Sequence, residues 1–172
     1  GYNASNIFDE LLRRGDTARG LELADFIAAN YPEYWQLPLQ AAAVYDRRGD
    51  SSRSNEIVTR LRDTLKSFLK VSPRNQSYMA DYGMVLTEIG RKQKNQQLVG
   101  EGVAYLWAAF DENPNNPLTF RKLVTTFGQL GNMADARKAA ERFAEYKINQ
   151  NDGLVQRLLG ISPPSGPIMP EQ

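Results

Sequence analysis

The 172-residue chain is 41% hydrophobic and 24% charged, a globular balance that excludes intrinsic disorder for its body. Its 21 basic and 20 acidic residues leave a net charge of +1. That lacks the basic excess of a polyanion binder, so no nucleic-acid partner is expected. With neither cysteine nor histidine, the chain excludes disulfides, thiolate zinc sites, cysteine nucleophiles and histidine-based triads.

Apolar residues recur at helical spacing throughout, and no useful length alternates with the period of two that a strand needs. The first predicted helix covers residues 5–14, with Ile7, Phe8, Leu11 and Leu12 on its apolar side. The next covers 17–30, with Leu21, Leu23, Ala24, Ile27 and Ala28. A third, 37–48, carries Leu39, Ala42, Ala43 and Tyr45. A long fourth, 52–71, carries Ile57, Val58, Leu61, Leu65, Phe68 and Leu69. Residues 76–89 follow with Met79, Tyr82, Val85 and Leu86, then a helix over about 98–112. The spacing gives two more over 117–130 and 133–147, and a short last helix, 152–159, with Leu154, Val155, Leu158 and Leu159.

The punctuation between these segments is periodic. Gly15, Gly49, Gly90 and Gly131 follow apolar runs and are read as helix stops, because glycine accepts the left-handed conformation that closes a helix. Asp16, Asp50 and Asn132 stand next to three of them as caps for the following helix. Pro32, Pro73 and Pro114 end the second helix of each pair, since proline cannot continue a helix interior. Each of these prolines precedes the next glycine by 17 residues, whereas glycine to next proline runs 17, then 24, then 24. The seven-residue difference is close to two helical turns, so it lengthens a unit without rotating its apolar face.

This spacing resembles the tetratricopeptide repeat, a helix–turn–helix unit of 34 residues that stacks into a right-handed solenoid; Gly15 to Gly49 is 34 residues. The best match runs over residues 115–147. There Phe120, Leu123 and Phe127 stand at the large positions of the first helix. Gly131 closes that helix, and Ala136, Ala140 and Phe143 follow in the second, with Pro114 at the terminal-proline position. In the third unit Tyr82-Gly83, Gly102 and Ala109 match. The second keeps Tyr45 and Gly49 with Ala42 where glycine is usual, and the first keeps Gly15, Gly20, Ala24 and Pro32. The resemblance implies an all-α fold: an α-α superhelix of about four helix pairs plus a C-terminal capping helix. The units fall at about 1–34, 35–75, 76–116 and 117–150, with the capping helix at 152–160. A proline-rich tail, 161–172, is expected to be a flexible end; the other reading is an extended segment lying in a groove of this or another protein.

In such a solenoid the first helix of each pair lines the concave face. Polar positions there are Asp9, Arg13, Gln40, Arg47, Asp81, Glu88, Arg121, Lys122 and Gln129. The resemblance implies a scaffold that binds a protein or peptide segment on this face, with Arg121 and Lys122 suited to pair with a carboxylate. Against this stands the plain reading of the same residues as solvated helix surface. The family's clamp for a peptide C-terminus is not expected, because the equivalent places hold Ser5, Asp9, Gln40, Ser77 and Asp81.

Acid–base chemistry would rest on Asp, Glu, Lys and Tyr alone, so neither catalysis nor a metal or cofactor is expected. No apolar run of about 18 residues is present to span a membrane. The chain opens Gly1-Tyr2-Asn3 without an initiator methionine, and the natural protein is expected to extend further upstream. Membrane attachment would come only through that upstream region. In this second reading the chain is the appendage of a larger bacterial membrane protein, loosely similar to polytopic proteins related to glycosyltransferases. The compartment stays open between cytoplasm and periplasm.

Other features are the basic run from Arg91 to Gln97, placed in an expansion loop or at the start of the following helix, and two aromatic groups. Tyr31, Tyr34 and Trp35 cluster at a turn beside Pro32 and Pro38, either as core or as a binding anchor. Trp107, with Tyr105 and Phe110, is expected in the core. Asn3 and Asn75 begin glycosylation sequons of a kind that is frequent by chance.

Overall fold

A computed structural model describes residues 4–31 and 34–161, the side chain of Lys147 excepted. Pro32, the Asn3 sequon and the tail from Ser162 onward lie outside the described residues. Those described form nine α-helices: α1 (Ala4–Arg13), α2 (Thr17–Asn30), α3 (Gln36–Arg47), α4 (Ser51–Val71), α5 (Gln76–Lys92), α6 (Gln96–Glu112), α7 (Pro117–Gln129), α8 (Met133–Ala144) and α9 (Gly153–Leu159). Each helix packs chiefly on its neighbours in the chain, and α1 also touches α3, as α5 touches α7. The fold is an all-α array of successive helices.

Helix ends follow local chemistry. Gly15, Gly49 and Gly131 take positive φ values of 79°, 82° and 70°, where a Cβ would meet the following carbonyl. Asp50 and Asn132 cap α4 and α8 by accepting from the Arg53 and Asp135 amides at 3.0 and 3.2 Å. Asp16 makes no such bond at the start of α2. Asn75, Asn95 and Asn116 cap α5, α6 and α7 in the same way, and Pro117 occupies the first turn of α7, where a missing N–H costs nothing. Pro73 and Pro114 fall two residues beyond α4 and α6.

One expected stop is corrected. Gly90 does not end a helix; α5 continues past it to Lys92, and Lys94 (φ 53°) makes the left-handed turn instead. Gly90 is there for proximity: a Cβ on it would sit 2.7 Å from the Val99 amide nitrogen and 2.9 Å from the Asn95 carbonyl oxygen. The basic run is therefore divided, with Arg91 and Lys92 in the last turn of α5 and Gln96 and Gln97 in the first turn of α6. A second correction lies at α8, which ends at Ala144, and Lys147–Asn149 forms a separate 3₁₀ turn.

The same close approach runs along the α5–α6 interface. A Cβ on Gly83 would lie 2.7 Å from the Gly102 carbonyl oxygen, and one on Gly102 would lie 2.6 Å from that of Gly83. Side-chain-free surfaces let helix backbones approach to the short end of the usual 8–10 Å separation. Among the described helices these two make the most extensive contact.

The buried side chains fall into two clusters. Phe8, Leu21, Ala24, Ile27, Leu37, Ala41 and Val44 join α1, α2 and one side of α3. The larger cluster starts with Trp35 and Ala42 on the other side of α3 and continues to Val155 in α9. Trp35 is 4% exposed and belongs to that core. In the last units Phe120 and Phe143 stack with centroids 4.2 Å apart, beside fully buried Ala136, Ala139 and Ala140. Trp107 packs partly buried against Phe110 and Phe127, with Lys138 and Arg142 over its ring at 5.5 and 5.6 Å.

Polar ties close the edge where one pair meets the next. The Gln76 amide donates to the Ala109 and Asn113 carbonyls and accepts from Asn116, joining α5, α6 and α7. Asn149 makes the equivalent tie in the following unit, donating to Asn115 and to the Phe143 carbonyl. Two helices with little direct contact are α3 and α5, because the 21-residue α4 stands beside both. Lys92 bridges them at one end, reaching Asp46 at 2.9 Å.

Candidate functional site

The polar positions singled out on the odd-numbered helices divide into two groups according to that gap. Asp9, Arg13, Gln40 and Arg47 stand on α1 and α3; Asp81, Glu88, Arg121, Lys122 and Gln129 stand on α5 and α7.

Two of them meet. Lys122 Nζ donates to Asp81 Oδ1 at 2.5 Å, tying α7 to α5 across their direct contact. The Asp81 side chain is 11% exposed and that of Lys122 26%. A half-dry ion pair of this kind is costly to break, since removing one partner strands the other charge away from water. Its carboxylate and ammonium are thus committed to each other.

Others are held locally. Arg13 and Arg14 both pair with Glu10 on α1, and their hydrogen bonds lower the Glu10 carboxyl below its usual range. Glu88 accepts from Arg91 one turn on, at 2.8 Å, which raises the Arg91 guanidinium. Arg121 reaches Asp152, the cap of α9, at 3.1 Å and keeps most of its side chain in solvent. Asp9, Gln40, Arg47 and Gln129 are exposed, and none of the four has an ion pair among the described residues.

At the gap between α3 and α5 burial works against the Asp46 carboxylate. The Lys92 ammonium and the Ser54 hydroxyl outweigh it and hold the carboxyl below its ordinary value. Tyr82, in the core beneath α5, is pushed up by burial and then by the Glu101 carboxylate; its ring meets Tyr105 edge-on at 4.9 Å. Among the described residues no group of three or more Asp or Glu side chains is arranged to hold a metal ion, and no helix is long and apolar enough to cross a membrane.

Sequence reasoning overlooked a groove of about 460 Å³ at the glycine-turn edge. It lies between the α5–α6 and α7–α8 turns and brings Arg91, Lys94, Gln96, Gln129 and Asn132 around Val99 and Val103. In the sequence the basic run and Gln129 are separate features. Their convergence depends on α5 packing on α7, a contact between residues far apart in the chain.

No protein-family model matches the chain, and no curated protein matches it.

Proposed function

We propose that the array is a tetratricopeptide-like scaffold that binds an extended protein or peptide segment along the solvent face of its odd-numbered helices, without chemistry of its own. The observation that carries this reading is the direct packing of α1 on α3 and of α5 on α7 beside their sequential contacts. Packing of first helices on first helices gives two stretches of shared face, α1 with α3 and α5 with α7, on either side of the α3–α5 gap, and such faces are where helical repeats recognise extended ligands.

Pairing within the array narrows the contact residues. Lys122 and Asp81 hold the face together, so recognition falls to Gln40 and Arg47 on one half and, on the other, to Gln129 and to Arg121, whose solvent-exposed contact with Asp152 is weak enough to exchange for a ligand carboxylate. The two halves flank the gap bridged by Lys92 and Asp46. The Arg47 and Arg121 guanidinium groups favour a segment carrying carboxylates, through bidentate hydrogen bonds. Gln40 and Gln129 suit its backbone amides.

The test is selection from a displayed random-peptide library on the full chain, followed by titration of enriched peptides against Arg47→Glu, Arg121→Glu and Gln129→Ala. Acidic peptides are expected to emerge and to lose at least about tenfold in affinity with each arginine reversal, roughly 1.4 kcal/mol. Enriched peptides that bind all three variants as tightly as the original chain would refute the assignment of this face.

A further inference from the structure

The described residues on either side of the α2–α3 corner, with the N-terminal ends of α1 and α3, carry a second surface, built from other residues than the polar positions proposed above for recognition. Phe26, Tyr31 and Tyr34 are 55%, 44% and 56% exposed, although aromatic rings of that size usually dominate cores. They form a run, with centroids 6.1 Å apart from Phe26 to Tyr31 and 6.4 Å from Tyr31 to Tyr34. The two tyrosines border a groove of about 480 Å³ whose base is buried Ile27 and Leu37, with Ala4, Ser5 and Gln36 also lining it. None of the described residues lining it is charged.

A tyrosine-bordered groove whose described lining is apolar with a few amide and hydroxyl groups suits an extended proline-rich segment. Proline rings pack on aromatic faces, and the segment loses little ordering entropy because its backbone is already restricted. Its carbonyls have no internal partners and can accept from groups such as the Gln36 amide and the Ser5 hydroxyl.

This chain carries such a segment. Four of its nine prolines fall after Ile161, and Pro164, Pro167 and Pro170 recur every third residue. A polyproline II helix has three residues per turn, so in that conformation the three would share one side. No charged residue occurs between Ser162 and Pro170, which matches the uncharged described lining of the groove.

Reach decides which copy supplies it. Helix α9 packs on α8, whereas the groove belongs to α1, α2 and α3. In a stacked array, three steps between successive helix pairs of about 8–10 Å each would put the two roughly 25–30 Å apart. Pro164 is three residues from Ile161 and extends only about 10 Å. At that spacing the three prolines together would not reach the groove of their own chain.

We propose that the α2–α3 groove receives the Pro164–Pro170 segment of a second copy, linking chains head to tail. Such a contact is heterologous and leaves a free groove at one end and a free tail at the other, so it propagates rather than closing into a symmetric dimer. The buried area is that of a short peptide, in the weak and transient class, so assembly is sought at chain concentrations on the order of 100 µM and above.

Sedimentation velocity of the full chain tests this. The average mass is expected to rise steadily with concentration, and an excess of a free peptide of residues 162–172 is expected to return it to monomer. The groove variant Tyr31→Ala/Tyr34→Ala and the tail variant Pro164→Ala/Pro167→Ala/Pro170→Ala should each remain monomeric. Mixed in equal amounts they should form a one-to-one dimer and nothing larger, because one sound groove meets one sound tail. A wild-type chain that stays monomeric, a tail variant that still assembles, or a mixture that stays monomeric while the peptide still binds the tail variant would each overturn the proposal. The altered tyrosines are solvent-exposed, and peptide competition on the unaltered chain reads the same contact without any substitution.

Discussion

Substituting Gly102 by alanine should destabilise the protein, although alanine is the better helix former. The added Cβ would lie 2.6 Å from the Gly83 carbonyl oxygen, 2.6 Å from Thr87 Cγ2 and 2.7 Å from the Thr87 amide nitrogen. Ordinary contact begins at 3.4 Å, so α5 and α6 must separate by 3.4 − 2.6 = 0.8 Å. Two of the three obstacles are backbone atoms and cannot rotate aside. Overpacking of a tight interface costs about 1–3 kcal/mol, and the helix propensity gained over glycine returns up to about 1 kcal/mol. With the full propensity gain subtracted, a net loss of up to about 2 kcal/mol, centred near 1, follows from these two terms. Gly100, two residues earlier on the same helix, is the control, because a Cβ there meets nothing within 4 Å. Its replacement by alanine should stabilise the chain by about 0.5–1 kcal/mol. For a chain of this size each kcal/mol moves Tm by about 2–4 °C, so Gly102→Ala should melt about 5 °C below Gly100→Ala, within a span of roughly 1–12 °C. Urea unfolding followed by far-UV circular dichroism gives the free energies directly. If Gly102→Ala proves as stable as Gly100→Ala, α5 and α6 are not in backbone contact, and the account of Gly83 and Gly90 fails with it.

Two further outcomes follow from the packing and the charges. Ala136 is fully buried on α8, and Ala136→Leu is expected to lower stability by about 1–3 kcal/mol, seen as a lower Tm; an unchanged Tm would mean the wrong face of α8 had been assigned to the core. The Asp46 carboxyl is lowered in the folded protein, so the Lys92 pair contributes fully above the ordinary carboxylate range and is lost as pH falls through the folded value. With side chains 26% and 36% exposed, the pair is screened to roughly 0.5–1 kcal/mol. Asp46→Asn should therefore lower the urea midpoint at neutral pH and make progressively less difference as pH falls below the ordinary carboxylate range, and a difference that stays constant down that acid titration would contradict the ion-pair account.

Much of the fold is legible in local chemistry. Gly15, Gly49 and Gly131 close helices where expected, since a left-handed residue after an apolar run is a property of a few adjacent positions. The proline stops at Pro73 and Pro114 are local in the same sense. Gly90 shows the limit. As a sequence feature it equals the other three glycines, yet it lies inside α5 because α6 presses its Val99 amide against the bare Cα. The need for a missing side chain arose from a neighbouring helix and not from the glycine's own dihedral angles.

The polar positions divide along the same line. Periodicity puts Asp81 on α5 and Lys122 on α7, and an exposed polar residue and a committed one look alike at that level. Only the packing of α5 on α7 brings the two charges to 2.5 Å and withdraws them from solvent. Likewise Tyr31, Tyr34 and Trp35 form one cluster in the sequence, and tertiary contact separates them, sending Trp35 into the core and leaving the tyrosines on a groove. The sequence by itself determined that the chain is helical, where most helices begin and end, and which faces are apolar, because these depend on neighbours within a turn or two. Tertiary structure alone decided which charges are paired across helices, how closely helices approach and where grooves open, because these depend on residues brought together from distant positions.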